Sequence, residues 1–217
     1  MYIQITERCN MSCAHCGMAA TRRGRDMEWE TFKAAVDADQ GSISLGGGEP
    51  TIHPLFEKFL FYAIGKCESV WLATNGSITN TALVLASLAQ KGVLGVALSL
   101  DQWHDPIDPS VIEAFTRNTT RDMGHGIDIG REIRDTSSNI VKAGRAARQS
   151  FVDDHGIETT AGCICEDIFV KPDGSVHQCG CRKSPKIGDA FTGWKLMASE
   201  DGDECCYKKC ERSKKVA

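Results

Sequence analysis

The feature that most constrains the fold is an alternation of short β-rich runs with helical runs along the first half of the chain. The β-rich runs are Tyr2–Thr6, Ser42–Leu45, Ser69–Ala73 and Gly95–Asp101. The helical runs that follow them read EWETFKAAVDA, PLFEKFLFYAI, TALVLASLAQKG and DPSVIEAFTR. Because parallel strands are joined by crossover helices, this order predicts an α/β fold built on a parallel sheet or barrel.

Residues with special backbone preferences mark several helix ends. Pro54 suits the first turn of the second helix, and Gly92 suits the C-terminal stop of the third. Asp108 is predicted to cap the fourth helix, with Pro109 in its first turn. These signals place the helices independently of their apolar periodicity.

The second half of the chain gives weaker signals. A fifth strand is predicted over Gly126–Ile133, a sixth over Ser138–Ala143, and a helix in GRAARQSFVDD. The run DIFVKPDGSVHQ predicts a β-hairpin with its turn at Pro-Asp-Gly. Composition changes near Asp154–Ala161, which predicts two domains, 1–155 and 156–217.

Composition narrows the possible classes of protein. The chain has 217 residues, of which 41% are apolar and 25% charged, as expected of one globular domain with a small appendage. No apolar run is long enough to cross a bilayer, and no signal peptide is visible, so a cytoplasmic location is expected. A net charge of -4 disfavours membranes and nucleic acid as partners, with a local basic patch at Arg22, Arg23 and Arg25 as the exception.

Eleven cysteines are too many for packing alone, and in a reducing compartment clustered thiols indicate metal ligands. One group comprises Cys9, Cys13 and Cys16. A second group lies in the C-terminal region and comprises Cys163, Cys165, Cys179, Cys181, Cys205, Cys206 and Cys210. Cys67 stands apart and is expected to be a small buried apolar residue.

The first group has the spacing C-x3-C-x2-C directly after the first strand. A structural zinc site takes four ligands, whereas three thiolates fit a [4Fe–4S] cluster with one open iron. The loop resembles that of the radical S-adenosylmethionine (SAM) superfamily. GGGEP after the second strand, TNG after the third and SLD after the fourth are similar to the motifs of that family, and ligand sites gather at such strand ends.

The resemblance implies a partial (β/α)6 barrel, trimmed after the fourth strand. It implies a cluster on Cys9, Cys13 and Cys16, and reductive cleavage of SAM to a 5′-deoxyadenosyl radical that abstracts hydrogen from a substrate. A polar loop residue is the alternative for His15, and a buried strand serine for Ser99. The implied SAM-binding residues are His15, Gly47, Gly48, Glu49, Asn75 and Ser99.

In the C-terminal region, Cys163, Gly174 and Cys179 follow C-x10-G-x4-C, which resembles the auxiliary-cluster extension of SPASM and twitch type. The resemblance implies a small Cys-rich subdomain with one auxiliary [4Fe–4S] cluster. Two clusters, or a zinc ion, are the alternatives. Beside Cys163 and Cys179, the expected ligands are drawn from Cys181, Cys206 and Cys210.

The substrate is the open question. Asp101 and His104, in the segment DQWHDP, are candidates to position or deprotonate it. A peptide or protein side chain is the leading hypothesis, with a nucleotide, nucleobase or small metabolite as the alternative. A non-catalytic iron–sulfur electron carrier is a third hypothesis. An enzyme of this type needs an electron donor such as flavodoxin or ferredoxin.

Overall fold

A computed structural model of the chain describes residues 1–116, 121–122, 128–135, 140–141, 144–148, 160–161, 168–180 and 184–196. Helices α1 to α4 are Trp29–Ala38, Phe56–Lys66, Thr79–Gln90 and Pro109–Thr116. Strands β1 to β6 are Tyr2–Thr6, Ser42–Gly47, Ser69–Thr74, Gly95–Ser99, Arg121–Asp122 and Asp128–Arg134. Strands β7 to β12 are Ile140–Val141, Thr160–Ala161, Phe169–Val170, Ser175–His177, Lys186–Asp189 and Gly193–Trp194.

The main sheet has the strand order β12-β11-β10-β9-β1-β2-β3-β4-β6-β5. The strands from β9 through β1, β2, β3 and β4 to β6 run parallel, with α1, α2 and α3 as crossovers between the first four strands of the chain. This confirms the predicted α/β class with a parallel-rich sheet. Within the described residues, no helix is long and apolar enough to cross a membrane.

The core lies between this sheet and its helices. Phe32 of α1 and Phe59 of α2 are fully buried, and their rings stack with centroids 4.2 Å apart. Burial of such aromatic side chains contributes about 1.5–3 kcal/mol each, which fixes α1 and α2 against each other. The strands contribute alternating buried residues to the same core, among them Ile3, Ile5, Leu45, Leu72 and Leu98.

The helix-end signals were mostly right. Gly92 follows α3 with φ +73°, and the Asp108 carboxylate accepts a hydrogen bond from the Ser110 backbone N–H at 2.9 Å, as predicted for a stop and a cap. Pro54 is a correction, because α2 begins two residues later, at Phe56. The His53 side chain accepts the Leu55 N–H, so a local turn precedes the helix.

Two predictions for the second half need correction. β7 covers only Ile140–Val141 and pairs with β8, in a two-stranded sheet separate from the main one. Residues 144–148, predicted as the start of a helix, form a turn and a short 3-10 helix. Gly144 has φ +56° there, outside helical geometry, because this segment packs against the cysteine loop.

The predicted hairpin is confirmed. β9 and β10 pair in antiparallel fashion, and Gly174 in their turn has φ +84°. β9 also pairs in parallel with β1, where the Tyr2 N–H donates to the Ile168 carbonyl at 2.8 Å and the Tyr2 ring stacks on Phe169. The hairpin therefore continues the main sheet. The division into two domains stays a prediction.

Candidate active site

The cysteine loop leaves the carboxyl end of β1 and folds back on itself. The Cys9 N–H donates to the Thr21 carbonyl at 2.8 Å, and the Cys16 N–H donates to the Cys13 carbonyl at 3.3 Å. Cys9 is buried, whereas Cys13 and Cys16 are half-buried. The three cysteines pack in one small cluster together with Met11, Ala20 and Ile107.

The surroundings of the Cys9 thiol disfavour its thiolate form unless a positive charge is nearby. Burial raises its pKa, and the nearby charges of Glu49, Cys13 and Cys16 raise it further, although the Met11 N–H donates to its sulfur at 3.4 Å. Metal ligation requires the thiolate and removes this penalty, because the ion supplies positive charge. The donor set therefore fits a metal centre.

The number of thiols in the loop favours a cluster over a single ion. A structural zinc site takes four protein ligands, whereas a [4Fe–4S] cluster with one open iron takes three thiolates. The loop brings together three, those of Cys9, Cys13 and Cys16. A separate trio, His15, Asp101 and His104, has ligand atoms that all lie within 4.8 Å of one another.

The glycines of GGGEP bring β2 against the cysteine loop. A Cβ on Gly47 would lie 2.1 Å from the Thr6 carbonyl oxygen, and one on Gly48 would lie 2.0 Å from that of Arg8. The Gly48 and Glu49 N–H groups donate to these same two carbonyls at 2.9 and 2.8 Å. The neighbours that require glycine are thus the chain's own backbone at the base of the loop.

Replacing Gly48 by alanine is expected to push the GGGEP segment away from the base of the cysteine loop. The added Cβ meets the Arg8 backbone, so we expect the free energy of unfolding to fall by about 1–3 kcal/mol, with less iron retained after anaerobic reconstitution. Gly65→Ala is the matched control, since nothing lies within 4 Å of a Cβ there and helix α2 should gain about 0.5–1 kcal/mol. Equal iron content in both variants would contradict this role of Gly48.

Glu49 is a deeply enclosed charged group in the site, with 1% of its surface exposed. One oxygen, Oε1, accepts hydrogen bonds from the Thr51 N–H at 3.1 Å, the Thr51 hydroxyl at 2.6 Å and the Thr74 hydroxyl at 2.7 Å. The other, Oε2, accepts the Asn75 N–H at 2.6 Å. Burial raises the pKa of Glu49, although these hydrogen bonds oppose the rise.

Asn75 joins this carboxylate to the cysteine loop. Its backbone N–H binds Glu49, while its side-chain amide lies 3.9 Å from the Cys9 sulfur and 3.1 Å from the Asn10 side-chain oxygen. The Asn10 amide in turn donates to the Ser77 hydroxyl at 2.7 Å. The end of β3 is therefore hydrogen-bonded to both the GGGEP segment and the loop, as the strand-end argument predicts.

At the end of β4, the Asp101 carboxylate lies between two imidazoles. Its oxygens are 2.9 Å from His104 Nδ1 and 3.5 Å from His15 Nε2, and the Trp103 N–H donates to it at 2.8 Å. Burial lowers the pKa of His104, but the hydrogen bond to Asp101 and the negative charges of Cys13 and Asp101 outweigh it and raise the pKa to about 10. Burial lowers the pKa of His15, with Asp101 opposing.

The structure describes only some of the remaining predicted site residues. Ser99 ends β4, where it pairs with Arg134 of β6. Cys179 follows β10 and is half-buried, and its N–H donates to the Ser184 hydroxyl at 2.9 Å. The other four expected auxiliary ligands lie outside the described residues: Cys163, Cys181, Cys206 and Cys210.

Sequence reasoning missed two groups of residues at this site. Thr51 and Thr74 hold Glu49 through hydroxyl groups, although Thr74 was visible as the first letter of TNG. Arg145 contacts the loop from far along the chain. Its segment, GRAA, was predicted to be part of a helix, and no local pattern marks a long-range contact of this kind.

A three-thiol loop beside a buried carboxylate, at the carboxyl ends of parallel strands, is a site that suits a metal cluster and an amino-bearing ligand. The family model described as the radical SAM superfamily matches residues 3–160, and the chain belongs to this superfamily. Membership confirms the family predicted from the motifs. It implies a [4Fe–4S] cluster and SAM as cofactors.

Curated relatives share only part of their length with the chain. The mycofactocin maturase MftC of Mycolicibacterium smegmatis is 29% identical over 113 residues, which are 50% of this chain and 29% of the relative. The tungsten-containing aldehyde ferredoxin oxidoreductase cofactor-modifying protein of Pyrococcus furiosus is 33% identical, over 46% of this chain and 30% of its own. The Fe-coproporphyrin III synthase of Methanosarcina barkeri is 28% identical, over 63% and 37%. The match thus spans about a third of each relative.

Proposed function

We propose that this protein cleaves SAM reductively and uses the resulting radical to abstract hydrogen from a peptide or protein side chain. One observation carries the SAM-dependent part of the proposal. Asn75 is hydrogen-bonded to Glu49 and lies against the Cys9 sulfur, so an ammonium held by Glu49 lies beside the thiol cluster. A simple electron carrier has no need of this arrangement, which weighs against the non-catalytic hypothesis.

In this proposal Cys9, Cys13 and Cys16 would hold the cluster. When bound and reduced, the cluster would supply the electron for cleavage of SAM to methionine and the 5′-deoxyadenosyl radical. Glu49 Oε2, which accepts one hydrogen bond in the described contacts, would pair with the SAM ammonium. His15 would contact the adenine.

The other proposed roles belong to residues near the cysteine loop and Glu49. Gly47 and Gly48 let the SAM-binding segment approach the loop, and Asn75 orients Glu49. Ser99 contacts the SAM carboxylate or ribose from the end of β4. Asp101 and His104 act toward the substrate as positioning or proton-transfer groups.

The C-x10-G-x4-C pattern supports the peptide hypothesis, because it resembles the SPASM and twitch extension, whose enzymes commonly modify peptides. We place an auxiliary cluster on Cys163 and Cys179, with two ligands from Cys181, Cys206 and Cys210. A flavodoxin or ferredoxin in the cytoplasm is the proposed reductant. A nucleotide or other small metabolite is the second candidate substrate. It is favoured by the similarity of this chain to a probable GTP 3′,8-cyclase of Methanopyrus kandleri, which is 31% identical over 54% of this chain.

The experiment is anaerobic reconstitution followed by reduction with dithionite in the presence of SAM. We expect about eight irons per chain, four for each cluster, and formation of 5′-deoxyadenosine. Deuterium transfer into 5′-deoxyadenosine from labelled peptides, compared with labelled nucleotides, separates the two substrate classes. A reconstituted cluster whose spectrum does not respond to SAM, with no 5′-deoxyadenosine formed, would favour the electron carrier instead.

A further inference from the structure

Residues 144–146 pack against the cysteine loop, although they are distant from it along the chain. The Arg145 side-chain Nε donates to the Cys13 carbonyl at 2.9 Å, and its backbone N–H donates to the Cys16 carbonyl at 2.9 Å. The guanidinium Nη1 donates to the Ala20 carbonyl. One residue therefore binds three backbone carbonyls of a single loop.

Its two neighbours fit the same surface. A Cβ on Gly144 would lie 2.4 Å from the Gly17 carbonyl oxygen and 2.6 Å from that of Cys16. Ala146 is fully buried in a small apolar cluster with Ile140, against which Ala14 and Trp103 also pack. The contact is thus built from hydrogen bonds, close backbone approach and apolar burial in three successive residues.

The loop needs such support because its own backbone makes few hydrogen bonds. Among the described residues, the backbone hydrogen bonds within Cys9–Ala20 are those that the Cys16 and Ala19 N–H groups donate to the Cys13 and Cys16 carbonyls, at 3.3 and 3.4 Å. An irregular segment held this loosely loses conformational entropy when it orders around a metal centre. Contacts that order it beforehand reduce that cost.

We propose that Arg145 is a positioning residue that holds the cysteine loop in its metal-binding shape and places a permanent positive charge beside the cluster. The inference rests on the proposed ligand set of Cys9, Cys13 and Cys16. An arginine side chain is a cation, and a cluster with three thiolates gains negative charge on reduction. A fixed cation nearby therefore favours the reduced form, since local charge and hydrogen bonding set cluster potentials.

Three variants of the full chain separate these two effects. Arg145→Gln removes the charge and the fork of donors, while Arg145→Lys keeps the charge but cannot reproduce the guanidinium geometry. Arg148→Gln is the matched control, because Arg148 is exposed and ends the short 3-10 helix Ala146–Arg148 that directly follows Arg145. Each protein is reconstituted anaerobically. The rate of iron loss to a chelator and the midpoint potential of the cluster are then measured without substrate.

We expect iron loss to be about tenfold faster in Arg145→Gln and intermediate in Arg145→Lys, since hydrogen bonds from a charged donor are the stronger ones. The midpoint potential should become more negative in Arg145→Gln and stay at the wild-type value in Arg145→Lys. The Arg148→Gln protein should match the wild type in both measurements.

Wild-type rates and potentials in Arg145→Gln would overturn the proposal. So would equal shifts in Arg145→Gln and Arg148→Gln. If the wild type itself acquires no cluster on the three cysteines, the proposed function fails, and that result is distinct from a failure of the role given to Arg145.

Discussion

A Cys13→Ala variant is expected to lose about four irons per chain and all formation of 5′-deoxyadenosine from SAM. Cys13 lies in the middle of the loop, and its thiol is close enough to His104 to raise the pKa of that imidazole. Two cysteines cannot hold a cluster whose fourth iron is open, so the centre should not assemble. Iron analysis and chromatography of the reaction products measure the two losses.

Cys67→Ala is the control for this substitution. Cys67 caps the end of α2, away from both cysteine groups in sequence, and burial raises its pKa to about 11, as expected of an inert thiol. It should retain wild-type iron and activity. Unchanged iron in Cys13→Ala, or equal losses in both variants, would show that the cluster ligands are assigned wrongly.

Replacing Glu49 should have the second-largest effect, and it should separate binding from folding. In Glu49→Gln the amide lacks the charge that pairs with an ammonium, so we expect the dissociation constant for SAM to rise about 100-fold, or about 2.7 kcal/mol. Glu49→Ala leaves both the Thr51 and the Asn75 N–H groups without their acceptor, whereas the glutamine oxygen of Glu49→Gln can still accept from Thr51. The free energy of unfolding of Glu49→Ala should fall by about 2–4 kcal/mol.

The measurements are SAM titration of the reconstituted cluster and denaturant unfolding of the apoprotein. Glu57→Gln, an exposed residue of α2, removes the same charge elsewhere and should change neither quantity. Normal SAM affinity in Glu49→Gln would remove Glu49 from the ligand site. It would leave the stability result to stand alone as evidence of a structural role.

The parallel sheet and the meeting of its strand-end motifs were predictable because their signals are local. Apolar periodicity and β-rich runs located β1 to β4 and their helices to within a few residues. In a parallel sheet the carboxyl ends of neighbouring strands share one side, so GGGEP, TNG and the cysteine loop were expected together. The contacts among Glu49, Asn75 and Cys9 show that they meet.

What sequence reasoning missed depends on contacts between distant parts of the chain. Arg145 binds a carbonyl 132 residues away, and Gly144 departs from helical geometry because the cysteine loop lies against it. Local propensity favoured a helix there, and tertiary packing overrode it. The pairing of β9 with β1 is equally invisible in the sequence, since the two-residue strand β9 carries no register signal of its own.

The pairing of β9 with β1 matters for the design of shorter fragments of this protein. A fragment ending at residue 160, where the family match ends, would strip β9 from β1 and expose the backbone groups of the strand that leads into the cysteine loop. An uncovered strand of this kind is a template for joining other chains. Aggregation of such a fragment would then result from the loss of β9, and it would not show that residues 1–160 misfold.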